Sequence, residues 1–436
     1  MNPLEQLTEA DIAAFQQMAN GGSARPKFNA RQLAEKLTAE ARIARGGGTL
    51  YAYTDGTYKA GAERLLQSRI AERLGDDWKG HRSRETITHI EHTAPDLWEE
   101  PRQDFLNLTN GILDISSGEL LPHTPDFLSP VRIPVQFDPA AECPTIDKFL
   151  ADTLDPELRE LIYELAGYLV TPDNSLQVAF MLLGAGGGGK STLLNLLTAL
   201  VGKPNVSNVT LHRLDEDKFA AASLYGKLAN IFADLDHRAL QSSSAFKSIT
   251  GGDAITGEMK RKDPFSFRPF ARLLFSANEP PPTPDNSQAF FRRWVVVPFE
   301  RRFDEKTADR NLGRKLSTNA ELSGLLNRGL ERLPDLQSRG AFTATAASTN
   351  AAERFRVDSD SVAGFLADQC EVNPESKTLQ SRFFPAYREW CMESNRKPLG
   401  KQRFNRRIQE LVPAVYELKT HGQRYWDGIG LDGAAK

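Results

Sequence analysis

The residues best suited to chemistry form one run, Gly184-Ala185-Gly186-Gly187-Gly188-Gly189-Lys190-Ser191, a complete GxxxxGK[ST] pattern. Glycines let backbone N–H groups converge on phosphate oxygens without side-chain obstruction, and a helix beginning at the lysine adds the positive end of its dipole. Lys190 is then placed to neutralise the β- and γ-phosphates of a nucleotide, and the Ser191 hydroxyl to ligate Mg²⁺. A flexible glycine linker is the competing reading, and the flanks argue against it. Val178 to Leu183 is an apolar run suited to a strand. Thr192 to Val201 reads as a helix with Leu193, Leu196, Leu197 and Leu200 on one face, closed by Gly202 and Pro204. The predicted nucleotide-binding set is Gly184, Gly186, Gly187, Gly188, Gly189, Lys190, Ser191 and Thr192.

Further along, Leu228 to Asp236 is an apolar strand ending in two carboxylates. In a phosphate-loop enzyme the neighbouring strand ends in an acid that holds Mg²⁺ and helps polarise the attacking water. Asp234 is the first choice for that acid and Asp236 the second, with a simple capping carboxylate as the alternative for Asp236. Ala271 to Ala277 is another strand, followed by Asn278, which either orients water near a γ-phosphate or is a turn residue before Glu279-Pro280. Arg292 and Arg293 precede the strand Val295-Val296-Val297, as surface charges or as residues that reach a neighbouring subunit's nucleotide. Lys190, Asp234, Asn278 and Arg293 follow one another at spacings of 44, 44 and 15 residues.

These residues must be carried by ordered elements, and the composition permits them. The chain has 436 residues, 40% hydrophobic and 25% charged, with a formal net charge of −3. That is ordinary globular material for about three domains and excludes a uniformly basic nucleic-acid binder. The three cysteines, Cys143, Cys370 and Cys391, are far apart and show no metal spacing; free thiols suit a reducing cytoplasm. The N-terminus has no apolar signal region, and no apolar run approaches a membrane span.

The elements fall into segments. Residues 1–27 read as a flexible N-terminus, and 28–140 as an α+β unit with a helix over 29–43. Hairpins are expected at Asp55-Gly56, Asn110-Gly111 and Ser117-Gly118. Residues 141–172 read as a helical collar whose 151–170 stretch carries net charge −4, the pattern of a solvated face. Residues 173–305 alternate strands and helices, the signature of an α/β sheet. Residues 306–352 give helices and then an Ala/Thr/Ser-rich linker over 340–352. The last segment, 353–436, reads as helices followed by a hairpin around His421-Gly422.

Taken together the motifs resemble the helicase part of bacteriophage, plasmid and poxvirus primase-helicases, superfamily 3 helicases of the AAA+ class. The carrying segments are GAGGGGKST (184–192), KLANIFADLD (227–236), 246–281 and AFFRRWVVVPF (289–299), with LNLTNGILDISSGELLPH (106–123) similar to the domain that precedes the helicase core. The resemblance covers roughly residues 50–430. It implies a P-loop AAA+ core with ATP and Mg²⁺ as cofactors, working as a ring, usually a hexamer, that translocates on DNA in a bacterial host. By motif matching Lys190 and Ser191 fall on the phosphate-loop positions and Asp234 on the acidic position, where many relatives carry Glu. Asn278 falls on the sensor position, and Arg292 and Arg293 on the arginine-finger motif, with Arg293 favoured.

The same resemblance gives the 257–272 region, net +3, a role as a hairpin in the ring channel, with Lys260, Arg261 and Lys262 on the strand's phosphates. Read from the residues alone, a solvated charged turn is the preferred reading. Residues 396–427 carry net +5, and helices with a hairpin wing fit a winged helix-turn-helix in which Arg403, Arg406 and Arg407 meet DNA, with a simply solvated basic helix as the equal alternative for any one of them. The expected partners are single-stranded and forked DNA, further copies of the chain, and a separate primase or polymerase. Fewer than ~50 residues precede the resembled region, too few for a primase domain. The alternative function is an ATP-switched, origin-binding initiator or loader.

Overall fold

Three short apolar runs, Ala179–Leu183, Ala229–Phe232 and Arg272–Ala277, supply the strands that present the site. The computed structural model describes residues 28–431 apart from 99–100, 237, 239, 241, 260–262, 284, 286, 305–308, 395 and 397. It divides into two units, one of residues up to 54 with 58–97, the other of 55–57 with 98 onward.

In the first unit, helix Ala30–Ala41 is capped by Asn29, whose side chain accepts the Gln32 N–H, and closed by Arg42 in the left-handed region. Helices Ala62–Leu74 and Gly80–Thr93 bring Leu66, Ile70 and Ile90 into one core with Leu37 of the first helix, all fully buried. The helix expected over 29–43 is therefore present. So is the turn at Asp55-Gly56, where both residues have positive φ, 52° and 78°.

The second unit holds a five-stranded sheet: β1 (Ala179–Leu183), β2 (Val206–Ser207), β3 (Ala229–Phe232), β4 (Arg272–Ala277) and β5 (Trp294–Pro298). In space the order is β5-β1-β4-β3-β2, and every pairing is parallel. Parallel strands covered on both faces read as unbroken apolar runs. Successive side chains go to opposite faces. Phe180 and Leu182 join one core with α3 (Lys190–Val201), whereas Ala179 and Met181 join a second with Phe246, Phe290 and Phe355.

The helical stretch before the sheet is two helices, α1 (Pro144–Thr153) and α2 (Pro156–Val170), broken where Pro156 starts the second. α2 crosses α4 (Asn319–Arg339) with backbones in contact: a Cβ on Gly167 would lie 2.3 Å from the Gly329 carbonyl oxygen. The acidic 151–170 stretch is not simply a solvated face, because α4 is its counter-charge. Glu160 meets Arg332 at 2.7 Å, and buried Glu164 accepts from Arg339 at 2.6 Å and from the Thr343 N–H at 2.8 Å. The linker expected over 340–352 is also corrected. Helix Ala346–Ser359 begins there under a Thr345 cap, since alanine favours helix once a cap is present, and its Phe355 packs 5.8 Å from Trp294.

The hairpins expected at 106–121 are found as Phe105–Leu108, Gly111–Asp114 and Leu120–Leu121. Leu108 pairs with Gly111, so the first turn sits at Thr109-Asn110, one residue earlier than expected.

The C-terminal segment packs helices Ser361–Gln369, Gln380–Glu393 and Lys401–Leu411 on a three-stranded antiparallel sheet around Trp426, Phe404, Phe383 and Tyr387. The hairpin turns at His421-Gly422 as expected, with Thr420 opposite Gln423. A third strand, Cys370–Leu379, escapes the sequence because Pro374 interrupts its alternation and its register shifts between Val372 and Lys377. Asp360, fully buried, accepts from the N–H groups of Val362 and Ala363 and from Arg407 at 2.7 Å. Removing one partner of a buried ion pair strands the other, so Asp360→Ala should destabilise this domain by ~3 kcal/mol. The midpoint of urea unfolding followed by fluorescence of Trp390 and Trp426 measures it.

Candidate nucleotide site and nucleic-acid interface

Parallel strands deliver their following residues to one edge, and that edge collects the predicted chemistry. β1 runs into Gly184, β3 toward Asp234, and β4 into Asn278. The segment after β3 is latched to β4: the Ser276 carbonyl accepts from the Leu235 N–H at 2.7 Å, and the Ser276 hydroxyl from the Asp234 N–H at 3.1 Å. Asp234 takes a left-handed turn there, φ 61°. Gly189, φ 95°, starts α3 in a conformation that favours glycine, and a Cβ on Gly184 would lie 2.3 Å from the Phe299 carbonyl oxygen.

Lys190 is 9% exposed. Its ammonium donates to the carbonyls of Gly184 and of Ala185, the latter at 2.9 Å, and to Asn278 Oδ1 at 3.3 Å. Burial lowers its pKa below the usual lysine value, and the Asp234 carboxylate opposes that shift. The loop therefore holds a positive charge and a row of N–H groups beside a carboxylate and an amide. They open on a cavity of about 1040 Å³ lined by Gly186 through Thr192, Asp234, Ser276 and Asn278. A phosphate chain fits this donor set. Ser191 and Asp234 both line the cavity and supply oxygens suited to Mg²⁺.

Two walls of the cavity escape the sequence. α1 contributes Phe149 and Thr153, and the segment after β5 contributes Phe303, Arg310 and Lys315. These contacts are long-range, and none carries a motif. Asp236 is not on the cavity, and its Oδ1 accepts the Arg238 N–H at 3.3 Å, a local turn bond. Arg292 and Arg293 stand at the other edge of the sheet. The Arg293 carbonyl accepts the Ala179 N–H at 2.7 Å, level with the start of β1 and about 15 Å of strand from the loop. Arg292 is exposed, whereas Arg293 is half-buried and donates to the Ala289 carbonyl.

Between β3 and β4 the strands Ile255–Gly257 and Phe265–Phe267 pair antiparallel, with Phe265 and Phe267 packed on Tyr225. Lys260, Arg261 and Lys262 fall between these strands and lie outside the described residues. Arg272 does not belong to a basic surface there. It is fully buried, donates to the carbonyls of Leu169, Asp173 and Phe270, and lies over the Tyr168 ring; burial lowers its pKa to about 10. In the C-terminal domain Arg403 is exposed and Arg406 is 73% exposed, 3.8 Å from Glu410. Arg407, by contrast, is held by Asp360 and Glu410 inside the fold.

Both flanks of this sheet match described families. The description "D5 N terminal like" fits residues 30–155, and "Poxvirus D5 protein-like" fits residues 357–426. Two separate stretches of this chain are thus similar to D5-type domains. The region between the D5-type flanks, residues 182–293, matches a family of unknown function, DUF5906. A protein of Acanthamoeba polyphaga mimivirus named "Putative helicase L207/L206" is 28% identical over 155 residues, which is 34% of this chain and 16% of that protein. The chain thus matches about one-sixth of that relative's length. Among solved structures, the apo A form of the NrS-1 C-terminal region is similar over 92% of this chain and 100% of its own, with a TM-score of 0.52 and 14% identity. A second apo structure of that region, residues 305–718, covers 93% of this chain and all of its own at a TM-score of 0.52 and 13% identity. At such identities the likeness establishes a shared fold. Among the described residues no helix is long and apolar enough to cross a membrane.

Proposed function

We propose that the chain is an ATP- and Mg²⁺-dependent DNA helicase motor of the superfamily 3 AAA+ type. It would work as a ring, hexameric in the simplest case, on single-stranded and forked DNA during replication of a phage, plasmid or other mobile element. The observation that carries this reading is the convergence of Lys190, Asp234 and Asn278 at one edge of the sheet between two D5-type flanks. Because β4 lies between β1 and β3, Asn278 is presented between the loop and the acid, where a group sensing a γ-phosphate must sit.

In this reading Lys190 neutralises the β/γ-phosphates, and Ser191 and Asp234 hold Mg²⁺ with phosphate oxygens. Mg²⁺ ordinarily takes only one or two carboxylates from protein, and among the described residues no three metal-binding side chains cluster. Asp236, engaged in its own turn, is left out of the metal set. Of the arginine pair the exposed Arg292 is the better candidate to reach a neighbouring copy's nucleotide, ahead of the tied Arg293. Lys260, Arg261 and Lys262 would hold the translocating strand, and Arg403 and Arg406 of a winged-helix domain would make a second DNA contact. A separate primase or polymerase would supply priming.

Those exposed arginines also favour a second reading, an ATP-switched initiator that recognises an origin. Unwinding of forked DNA separates the two. The wild-type chain should displace a strand with ATP, and Lys260→Ala combined with Lys262→Ala should cut unwinding at least tenfold while basal ATPase stays within about twofold, since each lost phosphate contact weakens strand binding. Tight, sequence-specific duplex binding without strand displacement would favour the initiator.

A further inference from the structure

After β5 the chain runs back along the phosphate loop. The Phe303 N–H donates to the Gly187 carbonyl at 3.1 Å, and a Cβ on Gly188 would lie 3.0 Å from the Arg301 carbonyl oxygen. The Arg301 side chain turns toward α1. Its guanidinium donates to the carbonyls of Ala151 at 2.8 Å and Asp152 at 3.0 Å, and to the Asp155 carboxylate at 2.9 Å. Those carbonyls belong to the last turn of α1, the negative end of its dipole, where a cation is favoured. α1 in turn rests on the loop: a Cβ on Gly189 would lie 3.1 Å from Thr153 Cγ2 and 3.5 Å from Phe149 Cε2. Loop, trailing segment, guanidinium and helix therefore close a circuit of contacts around one wall of the cavity.

We propose that Arg301 is a positioning residue that fixes α1, and with it the Phe149–Thr153 wall, against the phosphate loop, so that it sets nucleotide affinity and not the rate of the chemical step. The proposal rests on the nucleotide reading above. Arg301 does not line the cavity, so it acts through α1. Its side chain is 45% exposed, so truncation leaves neither a stranded buried charge nor a hole. Lysine keeps the charge but cannot span two carbonyls and a carboxylate with a planar fork.

Steady-state ATPase and titration with a fluorescent ATP analogue test it on the full chain. Arg301→Ala should raise KM and Kd about fivefold, the scale of a charge lost from a helix terminus, with kcat changed less than twofold. Arg301→Lys should recover about half of that loss, and amide exchange of α1 residues 149–153 should quicken in Arg301→Ala. Unchanged KM and Kd in Arg301→Ala, or a fall in kcat with KM unmoved, would overturn the assignment. Should Arg301→Ala not fold, the KM of Arg301→Lys decides by the same rule. Wild-type protein that binds the analogue alongside Lys190→Ala that does not keeps the nucleotide reading intact whatever Arg301 does. Wild-type protein that binds none overturns both.

Discussion

Lys190→Ala should hydrolyse ATP at least about a hundredfold more slowly than wild type, the usual consequence of losing a preorganised group aimed at developing charge in a water-poor site. Lys190 fits that description. It is nearly enclosed, its charge is already partly desolvated, and the Gly184 and Ala185 carbonyls with Asn278 hold it at the mouth of the loop. Lys190→Arg should not rescue turnover. A planar fork cannot replace a compact ammonium among converging carbonyls. Phosphate release under saturating ATP measures the loss, and wild-type turnover in Lys190→Ala would remove the ATPase assignment. A stability measurement alongside separates chemistry from folding.

The largest folding defect is expected from Gly329→Val. A Cβ on Gly329 would lie 2.5 Å from the Gly167 backbone nitrogen and 2.8 Å from its Cα. Backbone cannot step aside as a flexible side chain can, so α2 and α4 would have to separate. Overpacking of this kind costs ~3 kcal/mol or more. Separation would also pull Glu164 from Arg339 and Thr343 and leave a buried carboxylate short of donors. The urea midpoint should fall sharply, and Gly329→Ala should fall between it and wild type. A Gly329→Val chain of unchanged midpoint would show that the two helices do not rely on close approach.

The chain made its local features legible and kept its long-range ones hidden. The glycine-rich loop, its strand and its helix stand in order because glycines, an apolar run and a four-leucine stripe each have a local meaning. The hairpins at Asp55-Gly56 and His421-Gly422 are legible for the same reason, since two residues with positive φ declare themselves by type. Strand Cys370–Leu379 is not, because Pro374 and a register shift erase its alternation. Burial reverses the meaning of charge at particular places. Arg272 counts as surface in the sequence, yet it closes the end of α2 from inside. Glu164 counts as solvated, yet it organises the turn after α4. Arg301 lies 150 residues from Ala151, a separation that no motif spans.

One feature of the sheet bears on symmetry. The phosphate loop leaves β1 at its carboxyl end, while Arg292 enters β5 at its amino end, so the two lie on opposite edges of one layer. If one copy's Arg292 serves another copy's loop, the two surfaces that meet are different patches. Unless the same two copies return them reciprocally about a two-fold axis, such contacts repeat head to tail from copy to copy. They close into a cyclic ring when the rotation permits and wind into a filament when it does not. An inactive copy placed in such a ring would silence its neighbour's site and leave its own ability to bind nucleotide untouched.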